Sequence, residues 1–143
     1  MEREVETPHR AVNPPSLPRP SGFSHAIMAA PGRTIYLAGQ TAQGPDGTIR
    51  GRTIVEQFDA AAHNLLTALA AAGGRPEHLV SMQIFTTDVA AYKVDLKAIG
   101  AAYRRHFGRH YPAMALLEVK GLFDPDAMVE LQAVAVIPSQ PKT

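Results

Sequence analysis

A chain of 143 residues, 45% apolar and 19% charged, has the size and composition of one globular domain with a real core. Its net charge of +1 supplies no field to steer it toward nucleic acid or anionic lipid, and the lack of cysteine excludes disulfides, thiolate catalysis and cysteine-based zinc sites. No apolar run is long enough to span a bilayer and the start lacks a basic-then-apolar signal pattern, so a cytoplasmic location with no membrane partner is expected.

Met1 to Ser21 is polar and carries Pro8, Pro14, Pro15, Pro18 and Pro20. Such a stretch predicts an extended arm, outside helix or ladder and disordered at its first residues. Residues 22–138 then read as a single domain, with 139–143 as a tail. "HAIMAAPGRTIYLAGQ", from His25 to Gln40, holds two apolar runs around Pro31 and Gly32, the pattern of a β-hairpin. Gly44 to Thr48, "GPDGT", is a second turn.

The clearest helix runs from Thr53 to Gly74. Thr53 and Glu56 have capping-box spacing, and Val55, Phe58, Ala62, Leu65, Leu69 and Ala72 recur as one stripe. "LVSMQIFTT" alternates like a strand, with Val80, Met82 and Ile84 on one face and Ser81, Gln83 and Phe85 on the other. A second helix is expected from Ala90 to Phe107, with Tyr92, Leu96, Ile99 and Tyr103 on its apolar face and Gly108 as its stop. Tyr111 to Val136 reads as two strands joined by a turn, which makes Met114 the nearest cross-strand candidate for Glu130.

This β-β-α-β-α-β-β order gives an α+β fold in which two one-striped helices cover one face of one sheet. In the last strand Val129, Leu131, Ala133 and Ala135 share a face; Met128, Glu130, Gln132, Val134 and Val136 share the other. Both faces are substantially apolar, so a second copy of the chain is the expected cover for the face without helices.

The order and several motifs resemble the RidA (reactive intermediate deaminase A, or YjgF) family. The resemblance rests on "IYLAGQTA" at Ile35–Ala42, "EQFDAAAHNLLTALAAAGG" at Glu56–Gly74, "IFTTD" at Ile84–Asp88, "YRRHFG" at Tyr103–Gly108, "YPA" at Tyr111–Ala113 and "VELQAVAV" at Val129–Val136. It covers about the whole chain after the arm. It implies a chorismate-mutase-like fold with one mixed sheet, and a homotrimer with clefts between subunits. It also implies hydrolysis of enamines and imines to ketones or keto acids plus ammonia, without metal or cofactor.

Carried over residue by residue, the family's water-positioning glutamate falls on Glu130, its glycine on Gly39 within "AGQ", and its N-terminal aromatic on Phe23. The serine of its "SGQ"-like motif is Ala38, and an asparagine often found in the second helix aligns best with Gly100. The arginine that clamps the substrate carboxylate falls on Met114. An arginine holds a carboxylate by two parallel charge-assisted bonds, and methionine supplies none. Losing such a contact costs on the order of 2–5 kcal/mol, so simple 2-imino acids are expected to be poor substrates. A cleft bearing Met114, Leu116 and Phe23 suits a more apolar ligand. His25 and Gln40 are further candidate binding groups; strand-end and turn hydrogen bonding are the alternatives.

Glu130 could equally serve an interface salt bridge, and Met114 plain packing. His106 and His110 have metal-ligand spacing, but Gly108 between them breaks the helix such a site needs, so no metal is expected. Arg104, Arg105, His106, Arg109 and His110 form a small basic patch suited to a helix C-terminus, with a grip on phosphate as the alternative. Two further functions stay open beside the hydrolase: a non-catalytic metabolite-binding trimer, and an endoribonuclease-like activity that no nucleic-acid motif supports.

Overall fold

The elements follow the amino-acid pattern closely in four places and depart from it in three. In this computed structural model, which describes residues 6–139, they are β1 Arg10–Val12, β2 Ala26–Met28, β3 Gly32–Gln40, α1 Ile54–Ala71, β4 Leu79–Thr86, α2 Val89–Val94, α3 Leu96–Phe107, β5 Ala113–Glu118 and β6 Val129–Pro138. The expected disordered start at residues 1–5 and the tail at 140–143 lie outside the described residues.

α1 begins where Thr53 Oγ1 accepts the Glu56 backbone N–H at 3.1 Å and ends before Gly73, whose φ of 88° only glycine adopts without strain. Phe58, Ala62, Leu65 and Leu69 of its stripe are fully buried, whereas Ala72 caps the helix in solvent. The 44–48 turn closes through Gly44 N–H to Thr48 O at 2.8 Å. In β6, Val129, Leu131, Ala133 and Ala135 are all buried under the helices. In β4, Met82 and Ile84 are buried on that same face. A register shift between Leu79 and Ser81 puts Leu79, rather than Val80, into the core.

The first departure is the hairpin at Pro31. β2 pairs with β1, Arg10 opposite Met28, while β3 pairs with β6. The arm does carry a ladder, because Arg10-Ala11-Val12 is a proline-free triplet between Pro8 and Pro14 and each proline removes a donor only at its own position. Buried His9 pins it: Nε2 donates to both His78 O (3.1 Å) and Val136 O (3.0 Å), and Nδ1 accepts the Ala30 N–H (3.0 Å).

Second, the 90–107 helix is two helices that meet at Asp95, whose ψ of 18° leaves the helical region; exposed Leu96 drops out of the buried face that Tyr92, Ile99 and Tyr103 form. Third, β5 and β6 are not a hairpin. The sheet order is β3-β6-β4-β5, with β5 parallel to β4 and β6 antiparallel to both its neighbours. A parallel pair needs a long crossover, and α2 and α3 supply it.

The result is an α+β fold, a four-stranded mixed sheet with its helices on one face. The opposite face bears Tyr36, 82% exposed, together with Phe85, Glu130, Gln132 and Val134. The arm reaches the sheet at the Val136 end, where His9 Nε2 donates to Val136 O.

Candidate functional site

Residues paired across adjacent strands share a sheet face, so the register places every candidate. Glu130 is opposite Phe85, and Phe85 is opposite Leu117 one strand further. These three lie on the face without helices. On Glu130's other side, the β3 strand bulges between Leu37 and Gln40. A Cβ on Gly39 would sit 2.7 Å from Glu130 Cδ and 2.9 Å from Oε2. The carboxylate therefore rests on the bare backbone of Gly39, a close approach that requires glycine. Glu130 is half-buried, and among the described residues its carboxylate has no ion-pair or hydrogen-bond partner.

Met114 and Leu116 lie elsewhere. They pair with Met82 and Ile84, both buried under the helices, so they face the helical layer. Within one chain Met114 is two strands from Glu130 and on the other face. The expectation that a methionine is the cross-strand neighbour of Glu130 is corrected: Phe85 is, because β4 inserts between β5 and β6. Met114 lines a cavity of about 300 Å³ between α3 and β5, with Tyr92, Tyr103, Tyr111, Gly100 and Arg104.

Phe23 and His25 do not line this cavity; Ser21 and Gly22 just before them do, and the segment runs beside β5. Ser24 between them docks on the entry to β5, its N–H on Pro112 O (3.1 Å) and its Oγ on Tyr111 O (2.6 Å). The Phe23 and His25 rings meet edge to face at 5.1 Å. His25 Nε2 donates to Pro18 O at 2.7 Å, which commits that nitrogen to the arm rather than to an anion. Gln40 pairs with buried Leu131 and lines a third place, a groove beside α1 with Asn64, Asp59 and His106. The structure thus brings Glu130 to Gly39, and Met114 toward the Phe23–His25 segment, and it leaves Gln40 apart from both.

Two tyrosines of the Met114 cavity, Tyr92 and Tyr103, are held neutral by burial. Burial pushes the Tyr92 phenol up to about 12 and the Tyr103 phenol well above its ordinary range. The Tyr103 hydroxyl donates to His110 O at 2.6 Å, and its ring stacks on Tyr111 at 5.4 Å. The two histidines of metal-like spacing diverge. His106 Nε2 meets Asp59 Oδ1 at 2.8 Å, and His110 Nε2 donates to Leu79 O at 2.7 Å. Burial raises the Asp59 carboxyl, but hydrogen bonds from His106 and Arg105 outweigh it and leave the group below the usual range. Among the described residues no three metal-ligating side chains converge.

Sequence reasoning missed Phe85 beside Glu130, hidden by the mistaken hairpin, and Arg104 beside Met114. Arg104 had a signal: Gly100, a glycine inside a helix one turn before it.

A family model described as Endoribonuclease L-PSP matches residues 16–137. Protein DfrA of Myxococcus xanthus is 30% identical over 130 residues, spanning 89% of this chain and 95% of that protein. Among solved structures, the Rid-family protein YyfB of Yersinia pestis superposes with a TM-score of 0.81 at 29% identity, over 90% of this chain and 98% of that one. RidA from the Antarctic bacterium Psychrobacter sp. PAMC 21119 has the same fold, with a TM-score of 0.65 at 24% identity over 82% and 89% of the two chains. With a family model matched over most of its length and a Rid-family protein superposing at a TM-score of 0.81, the chain belongs to the RidA/YjgF family.

Proposed function

We propose that this protein hydrolyses reactive enamines or imines, releasing ammonia, and that its substrate is not a simple 2-imino acid. The observation that supports this most is Glu130: a half-buried carboxylate without an ion-pair partner among the described residues, seated on Gly39 and flanked by Phe85. A half-buried carboxylate with no protein partner among the described residues, at an open face, is available to a water.

In the reaction water adds across C=N. Its oxygen bonds to the carbon while Glu130 takes one water proton and passes it to nitrogen; Glu130 then moves the hydroxyl proton of the tetrahedral adduct to nitrogen as the C–N bond breaks, which leaves the carbonyl and ammonia. An enamine is first protonated on carbon to reach the same imine. Met114, which replaces the expected arginine, removes the charge that would hold a carboxylate on the reacting carbon. Because Glu130 and Met114 lie on opposite faces of one chain, a cleft holding both needs two protomers. The uncovered sheet face, with exposed Tyr36, supports a homotrimer that supplies them. We place this activity in the cytoplasm.

The test is ammonia release from oxidase-generated imines, half with a carboxylate on the imine carbon and half without, for wild type beside Glu130→Gln. Turnover confined to the second half and lost in the variant fits the proposal. Efficient turnover of 2-imino acids would contradict the reading of Met114. Ligand binding without turnover would instead favour a metabolite-binding trimer, and salt-sensitive RNA cleavage an endoribonuclease.

A further inference from the structure

Met114 is neutral, yet its cavity is not. Among the described residues that line it, Arg104 is the one charged side chain, and the remaining wall is largely aromatic and aliphatic: Tyr92, Tyr103, Tyr111 and Ile99. Arg104 stands in the last turn of α3, one turn after Gly100. A Cβ on Gly100 would lie 3.2 Å from Arg104 Nη1. The guanidinium is therefore laid along the helix surface in the space that glycine leaves. Glycine inside a helix is unfavourable, and here the chain retains it where the arginine lies. A guanidinium has five N–H donors, so it can hold a contact within the chain and still present a fork to an anion.

We propose that Arg104 is the anion clamp of this site, binding the carboxylate of a planar, apolar-bodied acid in the cavity between α3 and β5. The charge enters from the helix wall rather than from the strand position that Met114 occupies. The preferred ligand thus carries its carboxylate away from the reacting carbon, across a flat body that packs against Tyr103, Tyr111 and Met114. A cavity of about 300 Å³ sits at the small end of ligand sites, which fits a compact conjugated acid. The inference rests on the reading above in one respect, that substrate occupies the Met114 cavity.

Titration calorimetry with cinnamate and its neutral isostere cinnamamide tests this without turnover. Cinnamate is expected to bind wild type and Arg105→Gln with similar affinity. It is expected to bind Arg104→Gln about 10- to 100-fold more weakly, with Arg104→Lys between, since lysine keeps the charge and loses the fork. Cinnamamide is expected to bind wild type about 10- to 100-fold more weakly than cinnamate does, a comparison that needs no variant to fold. Gly100→Ala is expected to melt higher, through helix propensity, while binding cinnamate less tightly as the guanidinium is displaced. Equal wild-type affinity for acid and amide, undetectable cinnamate binding, or undiminished binding by folded Arg104→Gln would each overturn the clamp. Cinnamate binding by Glu130→Gln together with no ammonia release by wild type would remove the hydrolase and leave the clamp standing.

Discussion

Glu130 and Gly39 form one unit, since the carboxylate lies where any other residue at 39 would place its Cβ. Glu130→Gln keeps the shape and removes the base, so ammonia release should fall by about 10²- to 10⁴-fold with the melting curve unchanged. Gly39→Ala should lose most of the activity by pushing the carboxylate aside, at a stability cost of about 1–3 kcal/mol, read from denaturant midpoints. His110 sets a pH dependence of stability. Burial holds its imidazole below the ordinary value of 6.5, against the raising effect of its bond to Leu79 O. Between that lowered value and 6.5 the unfolded chain binds a proton that the folded chain does not, so stability rises with pH there. His78, also depressed by burial, acts in the same direction and window, whereas Asp59, which burial raises but bonds from His106 and Arg105 hold low, adds its loss only below its ordinary value of 3.8. Urea midpoints should therefore fall on going from pH 7 to pH 5, and His110→Gln should flatten the decline.

The elements show where sequence periodicity suffices and where it does not. α1 was legible to its cap because Thr53, Glu56 and the Phe58–Leu69 stripe are local signals. Strand pairing is not local. Pro31-Gly32 and the 119–127 loop look like hairpin turns, yet β2 turns back to β1 and β5 stands beyond β4. One-residue shifts, at Leu79–Ser81 and at Leu37–Gln40, are likewise invisible in an alternating pattern. The candidate site inherits these errors: Glu130 and Gly39 were named from the sequence and lie together, whereas Phe85 beside Glu130 and Arg104 in the Met114 cavity needed the register and the helix break. The arm's ladder depends on His9, whose three hydrogen bonds join it to Ala30, His78 and Val136. His9→Ala would leave a buried donor and acceptors unpaired and should destabilise the chain by about 1–3 kcal/mol in chemical denaturation.

At the scale of the molecule, the α+β class and the one-sided helical layer followed from two striped helices and a last strand apolar on both faces. The proposed trimer would cover the remaining face and unite Glu130 of one protomer with Met114 of another; sedimentation equilibrium should then give three times the chain mass. Met114→Arg, in that assembly, should create a clamp on the reacting carbon and raise turnover of 2-imino acids about tenfold or more.

The most direct test of the central claim is the initial rate of ammonia release from an imine with no carboxylate on its reacting carbon, measured for wild type and Glu130→Gln at equal folded concentration. The account predicts a rate well above the uncatalysed background for wild type and near background for the variant. Equal rates for the two proteins, or none above background for wild type, would contradict it.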